Sequence, residues 1–172
     1  MMWPTPGCPA GWMLFATLGE WQDFVLGLSL MRTVPDIVVR KFERAQKLCL
    51  LAWLDFELMM PAELTAFTAL ELALRDRYGD RVKDKKGNIN FHRLLAYMPE
   101  KDGLTDDKLP INRRSGGITV GFLTGANRPT FAEIRNDLAH GYPFDRGPYG
   151  GLIEQIRDLI DYAYRNWPLA KQ

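Results

Sequence analysis

Apolar residues recur every three or four positions from Val38 onward, at Phe42, Ala45, Cys49, Ala52, Phe56 and Met59. That period predicts one long helix over about 36–60, with Pro35 and Asp36 as its start signal. Pro61 then resets the chain. A second helix follows, with Leu64, Phe67, Leu70 and Leu74 on one face. Its Ala66, Ala69 and Ala73 favour helix and allow a close neighbour. Glu71 and Arg75 form an i,i+4 pair on it, and Gly79 is its expected end. A short third helix is expected over 89–98, apolar at Phe91, Leu94, Leu95 and Met98. Residues 99–129 show no helical period and read as a long irregular insert. Within it, "GITVGFL" at 117–123 is the one run with strand character. Thr130 with Glu133 three residues on reads as a capping box that opens a fourth helix over 131–140. Gly141 and Pro143 stop it. A fifth, over about 149–166, carries Leu152, Ile156, Leu159, Ala163 and Trp167 on one stripe. The expected fold class is all-α, a bundle of four to five helices with the insert ahead of the fourth.

The first 34 residues do not share this pattern. The head, "MMWPTPGCPAG", has no regular period, and "WMLFATLGEWQDFVLGLSLM" at 12–31 is apolar but interrupted by Glu20 and Asp23. It has neither the flanks of a signal peptide nor the continuity of a membrane span. Residues 1–34 are therefore read as an N-terminal extension that packs on the domain or is partly loose, and 35–172 as one helical domain. No membrane partner is expected.

Composition changes this picture little. The chain has 172 residues, enough to bury a full core without staples. Its formal net charge is +1, so a polyanionic partner must be met by a local patch. Cys8 and Cys49 form no metal or redox motif, and two unpaired thiols fit the cytoplasm. Cys49 falls on the apolar stripe as a small core residue. No metal-ligand cluster or cofactor motif is found, so none is expected.

The chemistry-bearing stretch is "AEIRNDLAHGY", residues 132–142. On a helix, Phe131, Ile134 and Leu138 define the core face, and Arg135 lies on its border. Asn136 and His140 are i,i+4 neighbours that point away from the core, with Ala132 and Ala139 between. At the end of a helix, a protonated histidine gains about 0.3–1 kcal/mol from the macrodipole, which is one reading of His140. The other is catalytic. Histidine exchanges a proton near neutral pH, and arginine holds a phosphate in its fork. Metal-free RNA cleavage needs that pair: a base for the ribose 2′-OH and a cation for the charge growing on the phosphate. One such pair per chain is a thin site, and a two-fold partner would double it.

Arg135-Asn136-Asp137-Leu138-Ala139-His140 resembles the signature of the HEPN superfamily, an arginine, a polar residue, a short spacer and a histidine. The likeness extends over roughly residues 36–166. It implies a metal-independent endoribonuclease acting as a homodimer on RNA, with Arg135 and His140 catalytic and Asn136 supporting them. Many such proteins are toxins or abortive-infection effectors in anti-phage defence. In one branch, paired with minimal nucleotidyltransferase antitoxins, the motif continues His-x-Tyr and the tyrosine is modified with AMP. His140-Gly141-Tyr142 matches, which makes Tyr142 a candidate for modification; the same residues also read as a C-cap turn with a packed tyrosine. The same fold would equally serve as a non-catalytic module binding RNA, a nucleotide or a partner protein.

Lys83, Lys85 and Lys86 in "RVKDKKGN", with Arg113 and Arg114 in the insert, are candidate phosphate contacts for an RNA strand. A solvated charged loop is the plainer reading of each, and Asp84 dilutes the first group. His92 has no partner in its own segment and reads as structural or exposed.

Overall fold

The computed structural model describes residues 1–8, 11–141 and 147–168. The fold is all-α apart from a two-stranded hairpin. In chain order the elements are β1 (Met2–Pro4), β2 (Trp12–Leu14), α1 (Leu18–Leu26), α2 (Asp36–Leu51), α3 (Met59–Val82) and α4 (Phe91–Lys101). They continue with α5 (Pro110–Ser115), α6 (Val120–Thr124), α7 (Phe131–His140) and α8 (Leu152–Tyr164).

The central element is α3. It packs against α2, α4, α7 and α8. Ala62, Ala66, Ala69 and Ala73 are fully buried, as are Phe67, Leu70 and Leu74. The four alanines form one stripe of small side chains along the helix, so the neighbour on that side comes close to its backbone. A helix buried on most sides has little amphipathic contrast along its length. Phe67 meets Phe131 of α7 edge-on at 5.6 Å and Phe91 of α4 edge-on at 6.3 Å. That aromatic joint fixes the start of α7 relative to α3 and α4.

Several boundaries differ from expectation. The helix expected over 36–60 ends at Leu51, and a 3₁₀ turn over Phe56–Leu58 leads into α3. Asp55 caps that turn by accepting from the Glu57 amide. Pro61 does not reset the chain; it sits in the first turn of α3, where its missing N–H costs nothing. Gly79 does not end the helix either, since α3 continues to Val82. A Cβ on Gly79 would stand 3.2 Å from the Ile89 side chain, so the glycine lets the following loop fold back closely. The insert is not irregular throughout. It holds α5 and α6, and "GITVGFL" ends in a helical turn rather than a strand. The fourth helix spans Phe131–His140 with both arms of the capping box formed between Thr130 and Glu133.

The head carries the hairpin. Trp3 pairs with Met13 in antiparallel register, and the Trp3 ring packs 5.5 Å from Trp21 of α1. Trp3, Trp21 and Val25 are buried in the same core as the helices. Trp21 Nε1 donates to the Cys49 carbonyl at 2.8 Å, and Gln46 Nε2 donates to the Val25 carbonyl at 2.9 Å. Cys49 is buried, and burial pushes its thiol pKa up, which fits a core residue. Cys8 is exposed.

α8 holds the head and insert in place with a row of carboxylates. Asp158 accepts from the Ile111 amide at 2.7 Å and Asp161 from the Met31 amide at 2.8 Å. Glu154 lies one turn earlier, 3.7 Å from Arg114. Burial pushes the Glu154 carboxyl up to about 7 and Asp161 up to about 6. Folded Glu154 therefore keeps its proton to about pH 7, while the unfolded chain releases it near 4.5. The unfolded state then binds fewer protons across that window, and stability falls as pH rises through it.

Two predictions follow from this packing. Phe67→Ala should cost about 3–5 kcal/mol of unfolding free energy in urea, because the cavity it leaves is ringed by Phe91 and Phe131. Glu154→Gln should flatten the decline in stability between pH 5 and 7.5 that Asp158 and Asp161 share. A slope as steep as that of wild type would show that Glu154 is already ionised when folded.

Candidate functional site

The motif helix α7 presents its polar edge to a cleft of about 290 Å³. Arg135 and Asn136 of α7 line it together with Glu71 and Arg75 of α3. His92 and Phe91 from the start of α4 close the other side. The Asn90 side chain caps α4 by accepting from the His92 amide at 2.8 Å, which fixes the backbone beneath the His92 side chain.

Arg135 is the most constrained of the motif residues. Its side chain is 30% exposed. One terminal nitrogen donates to Glu71 Oε2 at 2.5 Å and the other to Asn136 Oδ1 at 2.9 Å. Its guanidinium carbon sits 5.6 Å from the centre of the Phe91 ring. The stacking and the ion pair together hold the fork at the cleft wall. Glu71 is 14% exposed and accepts from Arg75 as well, at 2.8 and 3.0 Å. Burial would raise the Glu71 carboxyl, but hydrogen bonds from Arg135 and Arg75 outweigh it and hold its pKa below the ordinary glutamate range. One carboxylate thus serves two guanidinium groups, which leaves this corner of the cleft net positive.

Asn136 and His140 are both exposed, in keeping with their expected faces. His140 is the last residue of α7. Gly141 follows in the left-handed region at φ 72°, and its N–H donates to the Asp137 carbonyl. That glycine ends the helix cleanly and leaves the imidazole at its rim. His140 does not line the Arg135 cleft; His92 does. In the sequence His92 reads as structural or exposed, because its neighbours in the cleft come from two other helices. Tyr142 lies outside the described residues.

The basic candidates separate into two places. Lys83 stands just past the end of α3, 2.5 Å from Asp80, and lines a depression that also contains His92. Lys85 and Lys86 are exposed on the turn that follows, which Asp84 shapes by accepting from the Lys86 and Asn88 amides. Arg113 and Arg114 are on α5, exposed, and Arg114 lines a different depression with Glu154 and Arg157. Among the described residues no group of three His, Cys, Asp or Glu side chains could hold a metal ion. Among those same residues no helix is long and apolar enough to cross a membrane. Compared with models of protein families, with curated proteins and with solved structures, the chain matches none.

Glu71→Gln should release Arg135 and lower stability by about 1–2 kcal/mol at pH 7. The sign with pH follows from the depressed pKa. Stability owed to ionised Glu71 is present above its unfolded pKa and is lost as pH falls through the folded value. The wild-type and variant urea curves should therefore draw together as pH falls below the unfolded value and meet only below the depressed folded one. A gap that persists there would mean Glu71 acts through packing and not through its charge.

Proposed function

We propose that the chain is a metal-independent endoribonuclease of the HEPN type, working as a homodimer, with toxin–antitoxin or anti-phage defence as its setting. The observation that carries this reading is Arg135, held at a cleft wall by Glu71 and Phe91, on the same short helix that ends in exposed His140. An arginine fixed in this way is preorganised for a phosphate and reorganises little as charge develops.

In the proposed reaction, His140 takes the proton from a ribose 2′-OH. The oxygen attacks the adjacent phosphorus, the bond from phosphorus to the 5′-oxygen breaks, and a 2′,3′-cyclic phosphate forms. The leaving 5′-oxygen takes a proton from an acid and departs as a 5′-OH. Arg135 neutralises the phosphoryl oxygens as their charge grows, and Asn136 steadies the guanidinium. The leaving oxygen needs a general acid, and His92, the chain's other histidine, on the rim of the Arg135 cleft, is the candidate. Tyr142, in the His-x-Tyr continuation, is the position at which a nucleotidyltransferase antitoxin would act.

One observation favours a second reading, a non-catalytic module that binds RNA, a nucleotide or a partner protein. Both terminal nitrogens of Arg135 already have partners, and His140 is not among the residues that line its cleft. Under that reading the histidine caps the helix end and the arginine is structural.

Single-turnover cleavage of a mixed RNA in EDTA decides between them. His140→Ala and Arg135→Ala should each lower the rate by about 10²-fold or more while circular dichroism stays unchanged. His92→Ala should remove one limb of the pH–rate profile. Inert wild type, or variants that cut as fast, would favour the module. A purely monomeric protein by sedimentation at high concentration would count against the paired site.

A further inference from the structure

The Arg135 cleft is the middle of three linked depressions. On one side it shares Glu71 and Arg75 with a hollow between α2 and α3 that Arg40, Lys41 and Arg44 also line. On the other it shares His92 with a hollow between the end of α3 and α4 that Arg81, Lys83, Arg93 and Lys101 also line. Glu71 and Glu100 are the carboxylates that line the whole path, and Asp36 and Asp80 reach Arg40 and Lys83 from beside it, against nine lysines and arginines. The complete chain carries a net charge of only +1, so positive charge is concentrated on this face.

The cations of the track are largely uncommitted. Among the described residues Lys41, Arg44, Arg93 and Lys101 form no ion pair, and Arg40 approaches Asp36 only to 4.0 Å between two exposed side chains. Such a pair contributes little, so the guanidinium is free to change partner. The track follows α3 from Thr68 to Lys83, about 22 Å at 1.5 Å per residue.

We infer that this track binds the backbone of single-stranded RNA and threads it through the Arg135 cleft, with α2 and α4 holding the strand on either side. The choice of RNA rests on the proposed ribonuclease reading. The shape supplies the preference for a single strand. The central cleft has room for a nucleoside and not for a duplex, so the polymer must present its nucleotides one at a time. Tyr97 lines the α4 hollow with one side of its ring packed 4.9 Å from Tyr78 and its hydroxyl accepting from Arg81, and a base would stack on the side left to the hollow. Nothing in the sequence marks Arg40, Lys41 and Arg44 as a site, because only the packing of α2 on α3 brings them beside Arg75.

Fluorescence anisotropy with a 2′-O-methyl 12-mer and wild-type protein reads binding apart from cleavage, because the probe lacks the 2′-OH that the proposed reaction needs. Arg40→Ala/Arg44→Ala and Arg93→Ala/Lys101→Ala should each weaken binding about tenfold at low salt. Each should reduce the slope of log K against log salt by roughly 1.4, two phosphate contacts on a single strand. Arg32→Ala, exposed between α1 and α2 and outside the track, should leave both quantities unchanged. A duplex of the same length should bind more weakly than the single strand. An equal loss from Arg32→Ala, tighter binding of duplex, or a preference for polyglutamate over RNA would overturn the inference. Track-dependent binding without cleavage of ordinary RNA would sink the catalytic reading and leave the track standing. Cleavage with no effect of the track variants would do the reverse.

Discussion

The structure depends on covering α3. A helix with alanine and large apolar side chains over most of its circumference is stable only when neighbours close on it, and α2, α4, α7 and α8 do so. The arrangement leaves a line of α3 at the surface through Thr68 and Arg75, with Glu71 half-covered beside it. There α7 and the start of α4 come together, because Phe67 on the buried side joins Phe131 and Phe91. The cleft is thus a by-product of the core: the same joint that packs three helices sets the distance between Glu71 and Arg135.

Charge at the cleft follows from that geometry. Glu71 binds two guanidinium groups, so a positive excess remains where α3 surfaces, and the basic edges of α2 and α4 extend it in both directions. The carboxylates of α8, by contrast, serve the fold. Asp158 and Asp161 satisfy backbone amides of Ile111 and Met31, and they do so at a cost in burial that raises their pKa values. Acidic groups on α8 tie down the α1–α2 link and the insert, while basic groups of α2 and α4 stay open to solvent.

Much of the fold could be read from the sequence, and the exceptions have physical causes. The limits of α7 were legible because the Thr130–Glu133 box and Gly141 are local signals. The break between α2 and α3 was not, since the apolar period runs on through Ala52, Phe56 and Met59 while the chain turns at Asp55. Five- and six-residue helices such as α6 and α5 are too short to show a period. The hairpin escaped because each strand is three residues long and its register depends on Trp3 packing on Trp21, a tertiary contact. At the site, Arg135, Asn136 and His140 were identifiable by type and spacing. Spacing showed Glu71 as a partner of Arg75, while its bond to Arg135 spans 64 positions of sequence, and His92 joined the cleft only through the packing of α4.

The most direct test is the chemistry of the cut ends. RNA cleaved by the wild-type protein in EDTA should carry 2′,3′-cyclic phosphates on one side and 5′-hydroxyls on the other, and a 2′-O-methyl substrate should not be cut. Ends bearing 3′-hydroxyl and 5′-phosphate, or cutting of the 2′-O-methyl strand, would contradict a mechanism built on Arg135 and His140, since no 2′-oxygen would then be the nucleophile.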